Sequence, residues 1–332
     1  MPRCGRGRRR SVRPKAARKS PPNKEGHVIW FVVALAVVIG ALILWSAYVS
    51  RGVERWIPMD GRQVEVPGVR IHYVEMGPAD APAIVMIHGI MSQLRVFSYA
   101  LAGKLATDRR VIVMDRPGWG YSTLTGPRLD IPGQADAIAA AIRALELEKP
   151  LLVGHSMGGA VSLALALRHP QAVRGLGLIA PYTQPVDTPP EPLKSLVVPA
   201  PLRPLIAWTI AVPLAMRRGK ASTVAVFAPD PVPEDFPIKA GGALAIRPRS
   251  FEMGCYELGM APEVMQAQAP RYGEIALPVS ILYGRQDALL DPELHGGKTA
   301  SDVQNGKVDY LDGGHMLPVT HIDATEAWLR TL

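Results

Sequence analysis

The sequence predicts an α/β protein: a mostly parallel sheet with helices on both faces, interrupted by one helical insertion and preceded by one membrane-spanning helix. Three observations predict it. From about residue 60, short apolar strands alternate with helix-like stretches, the pattern of strands joined by covering helices. The alternation breaks at about Pro181 and resumes at about Ile275. Ahead of it all stand the twenty-two residues Val28–Val49, which carry no charge.

At ~1.5 Å rise per residue, that stretch covers the ~30 Å hydrocarbon core of a bilayer. A core helix is rarely apolar all round for so long. A cleaved signal has a shorter apolar region followed by small residues, and here the exit reads Trp45-Ser46-Ala47-Tyr48-Val49-Ser50. Trp30, Trp45 and Tyr48 lie near the two ends, where amphipathic aromatics prefer the interface. The expected organisation is a basic tail over 1–26, an anchor over 27–50, and an α/β core over 51–185 and 276–332. A helical cap over 186–275 splits that core.

Charge supports this layout. The formal net charge is +8, but residues 1–26 hold ten Lys and Arg against Glu25, leaving 27 basic and 28 acidic residues in the remainder. A nucleic-acid-binding domain would instead carry a basic stripe on its folded surface, so no nucleic-acid partner is expected. The positive-inside rule keeps the tail cytoplasmic and puts the globular part on the extracytoplasmic side, the periplasm in a bacterium. The two cysteines, Cys4 and Cys255, then lie on opposite sides and cannot pair, and no Cys-based metal site is available. The sequence lacks both GxxxxGK[ST] and a strand-linked GxGxxG, and no cofactor is expected.

Strands are expected at Val69–Met76, Ala83–His88, Val111–Asp115, Leu151–His155, Val173–Ile179, Val279–Tyr283 and Lys307–Leu311. Ile84–Ile87 and Val111–Met114 are apolar on both faces, as buried parallel strands are. Helical stretches fall at Gln134–Leu147 and Gly159–Arg168. The proline-rich insertion has helix-like pieces at Leu205–Met216 and Ser250–Met260, since a structureless loop of that length inside a compact domain is implausible.

The chemistry-bearing stretch is Leu151–Gly159, an apolar strand running into Gly154-His155-Ser156-Met157-Gly158 and then into a helix. A serine on a sharp strand-to-helix turn projects its hydroxyl above the sheet, and only glycine at 154 and 158 lets neighbouring backbone approach. Ser156 is the candidate nucleophile. A hydroxyl needs a positioned base; the candidate is His315, on a Gly-Gly loop after the last strand, with His321 as the alternative. The orienting acid is Asp287, beyond a strand and a Gly turn, with Asp291, Asp312 and Asp187 as rivals; Asp312 is expected to cap the Gly-Gly turn. The oxyanion hole is assigned to the backbone N–H groups of Met157 and Ile90. His88 and His155 are expected to make structural hydrogen bonds beneath the site.

With these residues in hand, the chain resembles the α/β-hydrolase superfamily over roughly residues 60–332, apart from the insertion. The matching residues are His88-Gly89, Asp115–Ser122, Gly154–Gly159, Gly284–Asp287 and Gly314-His315. The resemblance implies the chain order nucleophile, acid, base, here Ser156, Asp287, His315. Dehalogenases and epoxide hydrolases of this fold carry Asp at the nucleophile position, which Ser156 excludes. What remains includes carboxylesterases, monoacylglycerol-type lipases, carbon–carbon bond hydrolases and cofactor-free haloperoxidase-like members, among which the resemblance does not decide. The apolar insertion residues Leu202–Met216 and Val224–Phe227 favour a serine hydrolase acting on a hydrophobic, monoacylglycerol-like ester. The alternatives are a carbon–carbon bond or other specialised acyl hydrolase and, more remotely, a binding module without catalysis.

Overall fold

Strands that are apolar on both sides can only be satisfied in the middle of a sheet, between two helical layers. The computed structural model, which describes Met1 and residues 24–332, has this arrangement. Most of the basic tail assigned to 1–26 lies outside the described residues. Two compact units are present, Met1–Ala41 and Leu42–Leu332. Helix α1 runs over Lys24–Trp56. Among the described residues, His27–Trp56 is the one helical segment long and apolar enough to cross a membrane, by length and composition, and none of its most apolar window is buried.

The second unit holds a nine-stranded sheet. Its strands are β1 (Arg62–Val66), β2 (Val69–Met76), β3 (Ala83–Ile87), β4 (Arg110–Met114), β5 (Thr123–Leu124), β6 (Leu151–His155), β7 (Gly175–Ile179), β8 (Val279–Gly284) and β9 (Gly306–Leu311). The order is β1-β2-β4-β3-β6-β7-β8-β9, with β5 paired to β2. Strands β1, β2 and β5 pair antiparallel, and every pair from β4 to β9 is parallel. Neither β1 nor β5 was expected. The first, Arg-Gln-Val-Glu-Val, is a half-exposed edge that packs only Val64 and Val66 on the core, and the second is two residues long.

The helices are α2 (Arg95–Ser98), α3 (Leu101–Leu105), α4 (Ile131–Ala144), α5 (Met157–Arg168), α6 (Arg203–Ile206), α7 (Val212–Phe227), α8 (Pro248–Gln268), α9 (Thr299–Asp302), α10 (Leu317–Thr320) and α11 (Ile322–Leu329). Alternation along the strands sorts the core into two layers. Val85, Ile87, Ile112 and Met114 pack with α4 and α5, while Ile84, Met86, Val111 and Val113 pack with α2, α3 and α11. Between β7 and β8 the chain forms helical segments and no strand. The expected Leu205–Met216 is part of a longer run through α6 and α7, and Ser250–Met260 lies within α8.

The end of α1 belongs to the second unit's core. Val53 and Ile57 cluster with Leu244 beside Tyr121, and Arg247, almost fully buried, pairs with Glu54 at 3.1 Å. The same guanidinium donates to the Gly120 carbonyl at 2.8 Å.

Candidate active site

Ser156 sits between β6 and α5 with φ 54° and ψ −121°. A residue with a Cβ rarely adopts that backbone, so the surroundings must impose it. Its N–H donates to the Ile179 carbonyl at 3.1 Å, and its carbonyl accepts from Tyr182 N–H at 2.9 Å. The flanking glycines admit the close approaches. A Cβ on Gly154 would lie 2.5 Å from the Gly158 carbonyl oxygen, and one on Gly158 would lie 2.4 Å from that of Ile87. Met157 is the first residue of α5, so its N–H has no carbonyl a turn earlier to bind.

His315 follows β9 and Asp287 follows β8, and the pairing of those two strands brings them together. His315 Nδ1 lies 2.7 Å from Asp287 Oδ2. Among the described residues this is the imidazole's one hydrogen bond, which leaves Nε2 for the cavity beside Ser156. The other carboxylate oxygen, Asp287 Oδ1, accepts from the Leu289 and Leu290 amides at 2.8 and 3.1 Å. Burial alone would raise the Asp287 pKa, but His315 and these two amides outweigh it and hold the carboxyl below its ordinary value. Beneath the pair, His155 Nε2 donates to the His315 carbonyl at 3.0 Å. Burial, and then His315, push His155 down to about 3, so it is neutral.

Of the rival residues, Asp291 and His321 have other partners. Asp291 Oδ1 caps its own turn, accepting from Glu293 and Leu294 N–H. Asp312 is exposed and does not cap the Gly-Gly turn; Gln286 and Asp230 take the Gly313 and Gly314 amides. His321 lies near Asp230, under Gly313. Asp187 lines the cavity.

Ile90 and Met157 line the same cavity wall as Ser156 and His315. The loop bearing Ile90 is gripped from below. His88 Nδ1 lies 2.7 Å from the Gly89 carbonyl, and His88 Nε2 accepts from Arg116 N–H at 3.0 Å, which fixes a neutral tautomer protonated on Nδ1. Burial, and then Arg116, lower the His88 pKa to about 4. The cavity above has a volume of about 1570 Å³ and is walled mainly by the insertion, including Leu196, Leu214, Val226 and Phe227. Among the described residues no cluster of His, Cys, Asp and Glu could hold a metal ion.

A family model described as the alpha/beta hydrolase fold matches residues 82–211, the stretch from β3 through the Ser156 turn into the insertion. The chain has the α/β-hydrolase fold. This hydrolase is 27% identical over 266 residues to a 2-hydroxy-6-oxononadienedioate/2-hydroxy-6-oxononatrienedioate hydrolase from Paraburkholderia xenovorans (strain LB400), covering 77% of the chain and 87% of that protein. It is 37% identical over 119 residues to a dihydrolipoyllysine-residue acetyltransferase component of an acetoin cleaving system from Pseudomonas putida, 36% of the chain. There it spans only 32% of the relative's length. Among solved structures it resembles a membrane phospholipase A with a TM-score of 0.61 at 24% identity, covering 93% of this chain and 98% of that one.

One part of the hydrolase's site escaped the sequence reading. Glu257, on α8, is fully buried and paired with Arg116 at 2.6 Å. It also accepts from Trp119 Nε1 and Gln134 Nε2 at 2.8 and 2.9 Å. Arg116 donates in turn to the His88 and Gly89 carbonyls at 2.7 and 3.0 Å, immediately before Ile90. Arg116 and Trp119 lie in the stretch that matches the superfamily, but nothing local to Glu257 marks it, because its partners are over a hundred residues away.

Proposed function

We propose that this chain is a membrane-anchored serine hydrolase that cleaves hydrophobic carboxylic esters through an acyl-enzyme. The observation that carries the reading is the His315–Asp287 pair at 2.7 Å, opening onto the same cavity as the strained Ser156 turn. Asp287 holds the His315 proton on Nδ1, so Nε2 is the basic nitrogen. His315 takes the Ser156 proton as Oγ attacks the acyl carbon, and the Ile90 and Met157 amides stabilise the oxyanion. The protonated His315 then gives its proton to the departing alcohol. Water, deprotonated by the same nitrogen, releases the acid and restores Ser156.

The substrate class follows from the cavity. At about 1570 Å³ it exceeds the ~300–1,000 Å³ that suits drug-sized ligands, and its wall is mostly apolar. An acyl chain fits both properties. Helix α1, exposed over its apolar length, is assigned as the anchor, with the amino terminus cytoplasmic and the catalytic unit extracytoplasmic. The likeness to a membrane phospholipase A over 93% of the chain supports a lipid ester and a membrane location.

The second reading is a carbon–carbon bond or other specialised acyl hydrolase, favoured by the relative named for hydrolysis of an oxononadienedioate. Turnover of p-nitrophenyl esters from acetate to palmitate, by the full chain in detergent beside Ser156→Ala, separates the two. A long-chain optimum abolished in Ser156→Ala is expected. A folded protein that turns over none of the series would transfer the argument to the second reading.

A further inference from the structure

Nine Lys and Arg balance nine Asp and Glu over the insertion as a whole, 186–275, but one part of it is basic. Residues 191–227 hold five basic side chains, Lys194, Arg203, Arg217, Arg218 and Lys220, against the single acid Glu191. Residues 27–332 as a whole hold 27 basic and 28 acidic residues. Lys194 engages Glu191. Arg217, Arg218 and Lys220 stand exposed on α7.

The same segment exposes large apolar side chains. Val197, Leu202, Leu205, Trp208, Ile210 and Met216 are each between 39% and 65% exposed. Two of them, Val197 and Met216, are also part of the cavity wall, as are the exposed Arg218, Lys220 and Val224. A protein partner is the poorer fit, because interface cores are depleted of lysine and a basic run would need an acidic counterpart on the partner. Apolar side chains with a tryptophan, followed on α7 by Arg217, Arg218 and Lys220, which have no salt bridge among the described residues, match what an anionic lipid surface binds.

We propose that this face of the insertion docks on an anionic lipid bilayer. Leu205, Trp208 and Ile210 enter the headgroup layer, Arg217, Arg218 and Lys220 lie against the lipid phosphates, and the cavity mouth opens onto the membrane. The substrate then leaves the bilayer acyl chain first and enters the cavity without crossing water. That last step rests on the ester-hydrolase reading above; the docking itself does not.

The test uses the full chain as Cys4→Ser/Ile210→Cys, labelled at residue 210 with an environment-sensitive fluorophore. The protein is reconstituted in phosphatidylcholine vesicles with or without phosphatidylglycerol. The emission is expected to shift to the blue only when phosphatidylglycerol is present, and to return towards the aqueous value as salt is raised. With each basic residue near an anionic surface contributing separately, Arg217→Gln/Arg218→Gln/Lys220→Gln should lower the docking equilibrium constant roughly a hundredfold. Water-like emission in both vesicle types would overturn the proposal. So would a blue shift equal in both and unmoved by the triple substitution. A protein that docks but hydrolyses no ester would support docking while defeating the ester reading, and the reverse result would defeat docking alone.

Discussion

Arg116, on the loop after β4, grips Glu257 of the insertion with two hydrogen bonds, at 2.6 and 3.0 Å, and neither side chain reaches solvent. The same guanidinium holds the carbonyls of His88 and Gly89. One buried pair therefore ties α8 to the loop that presents the Ile90 amide. Glu257→Ala strands Arg116 without its counter-charge, at a cost of about 3–5 kcal/mol. The thermal midpoint should fall by several degrees, and the surviving folded protein should lose kcat more than it gains KM, because the displaced loop carries the proposed oxyanion donor. An unchanged midpoint would mean that water or a rearranged side chain replaces the pair.

In the proposed mechanism Asp287 acts through His315, to which it is bonded at 2.7 Å, rather than on the substrate. Asp287→Asn keeps the shape of the site but no longer fixes the Nδ1 proton, so kcat should drop about 10⁴-fold while the fold persists. Parallel melting curves and ester kinetics check this. A loss below about tenfold would move the orienting role to another carboxylate, and Asp187, on the cavity wall, is the residue to substitute next.

Acid should destabilise the fold well above the carboxylate range. Burial holds His88 at about 4, His155 at about 3 and His295 at about 4. Below the ordinary histidine value of about 6.5, the unfolded chain takes up protons that these three folded residues refuse. The unfolded state then binds more protons, so stability falls as pH drops from about 6.5 towards 4, by up to about 1.4 kcal/mol per pH unit for each histidine. His72 works in the opposite sense. Burial lowers it, but its bond to buried Asp115 and the Asp60 carbonyl outweigh that and raise it, so its contribution is present below about 6.5 and lost as pH rises. Three lowered residues outweigh one, and thermal midpoints measured from neutral pH down to about pH 4 should decline steadily. A flat profile would contradict the buried neutral assignments.

The end of α1 braces the insertion from below. Glu54→Gln leaves the buried Arg247 guanidinium with only neutral acceptors; Glu54 is partly exposed, so the expected cost is about 1–2 kcal/mol. Arg247→Gln in the same background should add little further loss, because the two act as one pair. Additive losses in the double variant would show that each side chain acts alone.

Local chemistry was legible in the sequence and long-range chemistry was not. The turn at Ser156 could be read because the strand, the two glycines and the helix are contiguous, and the structure has that strained turn. Asp287 and His315 each follow a strand, and β8–β9 pairing brings them into contact. Glu257 lies in a helix whose sequence resembles any half-buried helix, so only the folded chain reveals its partners. Strand β1 carries little strand signal because three of its five residues, Arg62, Gln63 and Glu65, are polar or charged and read as surface. Asp312 was misjudged because proximity in sequence suggested a cap, while Asp230 and Gln286, distant in sequence, take those amides.

The most direct measurement is labelling of the full chain with a fluorophosphonate, followed by mass spectrometry of its peptides. A serine activated by His315 and flanked by oxyanion donors should be phosphonylated at Ser156 alone, and His315→Ala should abolish the adduct. A folded protein that takes no label, or takes it on another residue with Ser156 unmodified, would contradict the assignment of Ser156 as nucleophile.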